Sequence, residues 1–241
     1  MNFVAKTKAD FKVVGTRVPR PDGVDKVTGR ARFGADYSVP GMLTGLVLRS
    51  PHAHATINSI DASAALALPG VKAVVTSADF AVPEDDFVRD AQDNCMARGK
   101  VLYHGHAVAA VAAKDMETAK AALKLIKVDY TALPHVTDVD AAMAPDAPVV
   151  QEGRVEESVQ SGYSQNVTSY HEFGHGDLEA GLAKADVVIT RSFKTAATHQ
   201  GYIEPHACLA TYNTDGKADL WCCTQGQYFV REMCAAMMGM E

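Results

Sequence analysis

The sequence predicts a mixed fold of the α/β (α+β) class, and three observations support this prediction. Short apolar, β-branched segments alternate with Ala- and Leu-rich segments of helical periodicity. Turn-forming pairs separate several of them, as at Pro40-Gly41 and Pro69-Gly70. The chain has 241 residues, of which 47% are hydrophobic, so it can bury a core in one large domain or two small ones.

The first half of the chain has the pattern of a compact strand–helix–strand module that ends near residue 135 or 145. Its clearest helix signal covers residues 116–127, with Asp115 as the N-cap. The apolar stripe of this helix comprises Met116, Ala119, Leu123 and Ile126. Residues 81–100 are polar and contain Pro83, so we expect an exposed excursion there. The remaining elements predicted in this half are strands at 43–48, 71–76 and 128–130, a strand pair across Gly105 within 101–113, and a short helix at 61–68 that Asp61 caps.

The second half begins with a change of composition. Residues 144–170 contain Pro145 and Pro148, many polar residues and little periodicity, which predicts a linker. Beyond it the pattern predicts a short helix at 177–183, a strand at 187–193, a hairpin of strands 208–212 and 220–224, and a final helix at 227–238 capped by Gly239.

Composition excludes several classes of protein. The formal net charge of -6 gives no general attraction to phosphate backbones, so we expect no nucleic-acid partner. No apolar run approaches the roughly 18 residues that a membrane helix needs, and no signal peptide is visible. The cysteines are odd in number and form no C-x-x-C pair, which predicts a reduced, cytoplasmic chain with mostly buried, structural thiols. They are Cys95, Cys208, Cys222, Cys223 and Cys234.

One short motif suggests a metal site. The segment His171-Glu172-Phe-Gly-His175 is a literal H-E-x-x-H, which on a helix places two imidazoles on one zinc ion with the glutamate as general base. Gly174 and Gly176 disfavour a helix there, by about 1 kcal/mol each. We therefore favour two unrelated histidines in a loop, followed by a helix that begins after the motif, and keep a zinc metallopeptidase as the alternative hypothesis.

Longer motifs are more specific. In the first half, residues 14–43, 48–71 and 101–134 include Leu48-Arg-Ser-Pro-His-Ala-His54 and Val128-Asp-Tyr-Thr-Ala-Leu-Pro134. In the second half stand Gly176-Asp-Leu-Glu179, Ile203-Glu-Pro205 and Leu220-Trp-Cys-Cys-Thr-Gln225. Together, in this order and spacing, they resemble the opening of the molybdenum-binding large subunit of the xanthine dehydrogenase and aldehyde oxidase family. The resemblance implies an α/β hammerhead domain at residues 1–143, the linker at 144–170, and the start of a molybdopterin-binding domain at 171–241.

The resemblance also assigns a site residue. The glutamine of the family's Thr-Gln motif lies beside the molybdenum and hydrogen-bonds one of its oxygen ligands, and Gln225 matches that glutamine. A neutral amide can donate such a hydrogen bond without adding a charge near the metal. Gln225 is thus the expected catalytic and cofactor-binding residue, and no residue of this chain is expected to ligate the metal. On the residues alone, the favoured interpretation is that Gln225 merely ends a strand at the surface; the resemblance is what favours the functional role.

The activity implied by the resemblance is hydroxylation of a small organic substrate with oxygen from water, electrons passing to Fe-S clusters and FAD in partner subunits. The family's Gly-Gly-x-Phe-Gly segment and catalytic glutamate would follow residue 241, so the molybdenum–molybdopterin cofactor, expected in its cytosine dinucleotide form, would be held mostly by a partner chain. The chain is then either a split subunit of a hetero-oligomer or a fragment, inactive alone. Two alternative hypotheses stay open: the reaction is a non-redox one such as hydration, or the chain is a non-catalytic scaffold subunit.

Overall fold

A computed structural model describes residues 11–152, 164–167, 169 and 171–240. Within these ranges, no helix combines the length and apolar character that a membrane span requires. The described residues form two compact units. The smaller unit draws on Met1–Pro40 and Thr198–Gln225, and the larger one on Gly41–Ala197 and Gly226–Glu241. Whether residues 143 and 170 bound separate domains stays a prediction.

The secondary structure alternates through most of the described chain. The strands are β1 (Thr44–Arg49), β2 (Ala55–Asp61), β3 (Val71–Val75), β4 (Lys100–Val101), β5 (Ala107–Ala113), β6 (Lys127–Ala132), β7 (Cys208–Tyr212) and β8 (Ala218–Cys222). The helices are α1 (Gly23–Val27), α2 (Ser63–Leu66), α3 (Asp86–Cys95), α4 (Met116–Leu125), α5 (Val139–Ala142), α6 (Leu178–Lys184) and α7 (Gln227–Met238), with short 3₁₀ turns at Gly34–Asp36 and Ser77–Asp79.

Two antiparallel sheets build the larger unit. One has the strand order β1-β5-β3 and the other the order β4-β2-β6. Strand β5 is central and buried along most of its length, and helix α4 covers its sheet through small side chains. Ala119 and Ala122 of the helix are fully buried against a cluster that includes Ala109, Val111 and Ala113. These small residues let the helix backbone approach the sheet closely, so burial depends on fit rather than on large side chains.

Several local predictions are confirmed. Helix α4 begins after Asp115, whose carboxylate accepts a hydrogen bond from the Thr118 backbone N–H at 2.7 Å. Helix α7 spans the predicted residues, and Gly239 ends it in the left-handed conformation with φ 63°. The β7–β8 hairpin also forms, joined at Asn213–Lys217. The stripe of α4 differs in one respect, because Met116 is exposed and Ala122 takes a buried position.

Other predictions are wrong. Residues 81–100 are not an exposed excursion, since they contain helix α3, which Asp85 caps by accepting from the Val88 N–H at 2.9 Å. Gln92 on this helix is buried and its amide donates to the carbonyls of Ala81 and Met237, both at 3.1 Å. The helix is amphipathic although its segment is polar overall, so the prediction failed because composition and Pro83 were weighed above periodicity.

Three further expectations fail. The segments either side of Gly105 do not pair with each other, because β4 joins β2 whereas β5 joins β1 and β3. Residues 187–193 do not form a strand and their apolar side chains are exposed. The cysteines are free, as expected, but none of them is buried: Cys95, Cys208 and Cys234 are exposed and Cys222 and Cys223 are partly exposed.

In the smaller unit, the N-terminal segment contacts the β7–β8 hairpin. The Tyr37 ring stacks on Trp221 of β8 with centroids 6.4 Å apart. Gly34 lies so close to the chain preceding β7 that a Cβ atom built on it would meet the Ala207 carbonyl oxygen at 2.7 Å. The Gly34 backbone N–H donates to the Glu204 carboxylate at 3.3 Å. Only glycine fits this approach without a backbone shift.

We therefore expect Gly34→Ala to lower the free energy of unfolding by about 1–3 kcal/mol, because the added methyl group meets backbone that cannot rotate away. Trp221, the single tryptophan, reports on this unit in urea unfolding followed by fluorescence. Gly174→Ala is the matched control, since no atom lies within 4 Å of its built Cβ, and we expect a change within about 0.5 kcal/mol. Equal effects of the two substitutions would contradict the close approach.

Candidate functional site

Gln225 lies just beyond the open end of the β7–β8 hairpin, three residues after Cys222 ends strand β8. Its side chain is exposed, and within the described part of the chain it has no hydrogen-bond partner. The amide thus keeps both N–H donors and its carbonyl acceptor available for an external group. Such an amide suits a binding role, because the preceding strand fixes the position of its backbone while its polar atoms can still form hydrogen bonds with an external group.

The hairpin fixes where Gln225 leaves the sheet. At the turn, the Asn213 N–H donates to the Lys217 carbonyl at 2.8 Å, and Gly216 adopts φ 84°, which favours glycine. From there the register pairs Tyr212 with Ala218 and continues to the opposite end of the hairpin. Leu209, buried in β7, lies opposite Trp221 and holds that end in place.

The residues present fit a group that brings its own metal. In the part of the chain that the structure describes, no three His, Cys, Asp or Glu side chains come together as a metal-binding set. Gln225 is an amide, a weak metal ligand but a good hydrogen-bond donor to a metal-bound oxygen. The chemistry of the Gln225 amide suits a hydrogen bond to an oxygen of a bound group, which fits a molybdenum atom held by a pterin.

The H-E-x-x-H segment has the wrong geometry for zinc. Residues 171–175 are not helical and are exposed, and α6 begins only at Leu178, where Asp177 accepts from the Ala180 N–H at 2.9 Å. The expectation that a helix starts after the motif is confirmed. Outside a helix, the spacing of four residues no longer places the two imidazoles on one face, where they could share one ion. The zinc metallopeptidase hypothesis lacks the helix on which it depends.

We accordingly expect the chain, dialysed against micromolar zinc and then desalted, to retain no stoichiometric zinc. The substitution His171→Ala should leave the small residual content unchanged, because the motif lacks the helix that would bring its two histidines to one ion. Atomic absorption or mass spectrometry of the metal measures both. One zinc per chain that disappears in the variant would restore the peptidase hypothesis.

Two other polar features of the larger unit are structural. A cleft of about 540 Å³ beside α3 is lined by charged side chains, but its cations are paired: Arg89 with Asp86, Arg98 with Asp93 at 3.0 Å, and Lys100 with Glu152. His106 is fully buried. Its Nδ1 accepts from the Leu102 N–H at 3.2 Å, and its Nε2–H donates to the Asp93 carbonyl at 2.9 Å. Neither feature offers a free group for chemistry.

Comparison with known families agrees with the sequence motifs. Residues 28–134 match the model of the aldehyde oxidase and xanthine dehydrogenase a/b hammerhead domain. Residues 159–241 match the model of the molybdopterin cofactor-binding domain. Gln225 falls in the second match, near its end. The two matches lie in the order in which the motifs predict them.

Curated relatives are much longer than this chain. It is 34% identical to the carbon monoxide dehydrogenase large chain of Afipia carboxidovorans, over 94% of this chain and 29% of the relative. It is 30% identical to the nicotinate dehydrogenase large molybdopterin subunit of Eubacterium barkeri, over 96% of this chain and 52% of that subunit. The chain thus spans between about a third and a half of these two relatives.

Solved structures show the same fold. Quinoline 2-oxidoreductase from Pseudomonas putida 86 superposes with a TM-score of 0.74 at 30% identity, covering 94% of this chain and 29% of that one. Aldehyde oxidoreductase from Desulfovibrio gigas gives 0.75 at 28% identity, covering 98% and 26%. The fold is that of the molybdenum hydroxylases. The chain belongs to the xanthine dehydrogenase and aldehyde oxidase family, and corresponds to an N-terminal portion of its molybdenum-binding large subunit.

Proposed function

We propose that this chain forms part of the large subunit of a molybdenum hydroxylase-type oxidoreductase and that Gln225 contributes to its cofactor site. The observation that carries the proposal is the exposed amide of Gln225, which has no partner among the described residues. It ends a Thr-Gln motif inside the matched cofactor-binding region. The family membership supplies the class of reaction, and the amide supplies a specific contact within it.

Bound molybdenum–molybdopterin supplies the redox chemistry, in which a small organic substrate is hydroxylated with oxygen from water. With the cofactor bound, Gln225 would donate a hydrogen bond from its side-chain N–H to an oxygen of that group. A neutral amide would orient the group in this way without bringing a full charge close to the metal. The cytosine dinucleotide form of the cofactor is part of this proposal.

The proposal includes a hetero-oligomer. Similar proteins are named as a large chain or a large molybdopterin subunit, which supports an assembly with smaller partners. We propose an Fe-S subunit, an FAD subunit and a chain with the remaining cofactor-binding residues as those partners, in the cytoplasm. In the larger unit, exposed Phe193 and Phe229 are available to contact the remaining cofactor-binding residues.

Co-purification tests the proposal. The chain, tagged and expressed with the genes that neighbour its own, should elute with the partner chains and carry close to one molybdenum per copy, together with iron and flavin. The chain expressed alone should carry no molybdenum and should be less soluble than the co-expressed assembly, because its exposed apolar side chains then lack a partner. A metal-free monomer obtained from the co-expression, alongside well-produced partner chains, would contradict the proposal.

A further inference from the structure

Two of the free cysteines face each other across the β7–β8 hairpin. Cys208 begins β7 and Cys222 ends β8, and the register makes them direct partners. Residues directly opposite in an antiparallel pair project to the same face of the sheet. Both residues belong to the smaller unit, so their placement depends only on this hairpin and its contacts.

The hydrogen-bond pattern of the hairpin predicts that the Cα atoms of Cys208 and Cys222 are closer together than those of its hydrogen-bonded pairs. The bond from the Asn213 N–H to the Lys217 carbonyl marks these two as a hydrogen-bonded pair next to the turn. Pairs alternate along an antiparallel ladder, and Cys208–Cys222 is the fifth pair from there, so it is non-hydrogen-bonded. In such pairs the Cα atoms lie about 4.5 Å apart, which is within the range of about 4.4–6.8 Å that disulfides span.

The pair is also accessible. Cys208 is exposed and Cys222 is partly exposed. Cys223 follows directly in the chain, but one residue further along an extended chain the side chain projects to the opposite face. Cys95 and Cys234 lie in the larger unit. Cys208 and Cys222 are therefore the two thiols that the strand register itself brings together.

We propose that Cys208 and Cys222 form a reversible disulfide, a modification site for low-molecular-weight disulfides of the glutathione type. The thiolate of one cysteine attacks the glutathione disulfide, forms a mixed disulfide and releases one glutathione thiolate. The second cysteine thiolate attacks the protein sulfur of that mixed disulfide, closes the Cys208–Cys222 bond and releases the second glutathione thiolate. The protein gives up two electrons and two protons, and the glutathione disulfide is reduced to two thiols.

The bond would clamp the open end of the hairpin. That end is where the chain leaves the sheet towards Gln225, three residues beyond Cys222. On the proposed function, oxidation would therefore fix the backbone that presents the cofactor-contacting amide. The disulfide itself depends on the hairpin alone and does not require a cofactor.

The test uses the 241-residue chain equilibrated anaerobically in mixtures of reduced and oxidised glutathione, quenched with acid, alkylated and digested with trypsin. We expect a covalent link between the peptides 195–217 and 218–231, which carry Cys208 and the Cys222-Cys223 pair. Cys222→Ser should abolish this link. Cys223→Ser, the matched control, should retain it, and Trp221 fluorescence should confirm that both variants fold.

Two results would overturn the proposal. One is a link that survives in Cys222→Ser but is lost in Cys223→Ser, since the register would then be wrong. The other is alkylation of both thiols in mixtures that fully oxidise an unstructured peptide with two cysteines at the same spacing. Neither result bears on molybdenum binding, so this proposal and the proposed function can fail separately.

Discussion

The substitution Gln225→Ala is expected to lower turnover of the assembled molybdenum complex by about 10–100-fold, the usual effect of removing a hydrogen bond to a metal ligand. Molybdenum content should stay close to that of the unmodified complex, because the amide contacts an oxygen ligand and does not hold the metal. Steady-state kinetics on preparations matched for molybdenum would separate lost turnover from lost cofactor.

Two further variants sharpen this test. Gln227→Ala removes an exposed glutamine only two residues away, at the start of α7, and should leave turnover within about twofold, well short of the Gln225 effect. Gln225→Glu keeps the shape but replaces the donor with a carboxylate, which would repel an oxygen ligand; we expect at least as large a loss as for alanine. Unchanged turnover in Gln225→Ala would favour the alternative hypothesis that the chain is a non-catalytic scaffold subunit.

The largest expected effect on stability is that of His106→Ala. The imidazole is fully buried, stacks on Tyr103 with ring centroids 4.3 Å apart and satisfies two backbone groups. Removing it leaves a cavity and deprives the Leu102 N–H and the Asp93 carbonyl of partners, so we expect a loss of about 3–5 kcal/mol in urea unfolding. His104→Ala, at an exposed neighbour, is the control and should cost less than about 0.5 kcal/mol.

His106 also predicts a pH dependence. Burial lowers the pKa of its imidazole in the folded chain, whereas in the unfolded chain the pKa returns to its ordinary value of about 6.5. As the pH falls below that value, the unfolded state takes up a proton that the folded state does not. The free energy of unfolding should therefore decrease, by at most about 1.4 kcal/mol per pH unit from this group, down to the lowered folded pKa.

The variant His106→Gln isolates this contribution, because glutamine is polar and does not titrate. Its free energy of unfolding, measured in urea between pH 7 and 5, should fall less steeply than that of the unmodified chain. Equal slopes would show that His106 does not remain neutral in the folded chain over this range.

Elements with strong local signals were predictable from the sequence. The Asp115 cap and the Gly239 end of α7 each depend on a few adjacent residues, and each forms as expected. The predicted hairpin also forms, and Asp215-Gly216 lies in its turn. Helix α3 was missed because its segment is polar overall and follows Pro83, although Asp85 caps it and the helix is amphipathic. The contacts of Gln92 with distant carbonyls are a further feature of this helix that no window of sequence displays. Strand formation requires a neighbour, and among the described residues none pairs with 187–193, so an alternating pattern alone misled the prediction.

At the candidate site, too, some features could be predicted from the sequence and others required the structure. The type and position of Gln225 followed only from a resemblance of motifs, since a single glutamine at the end of a strand has no chemical signature of its own. Its exposure, and its lack of a partner within the part of the chain that the structure describes, required the structure. The pairing of Cys208 with Cys222 depends on the register of the two strands. The hydrophobic pattern and the turn together specify this register, whereas the two cysteines by themselves do not show it.

The most direct test of the central claim is a structure of the assembled complex at a resolution that shows the pterin. It should show molybdenum beside Gln225, with an oxygen ligand of the metal about 2.7–3.2 Å from the side-chain nitrogen. Stoichiometric molybdenum bound elsewhere, with the Gln225 amide facing solvent, would contradict the claim.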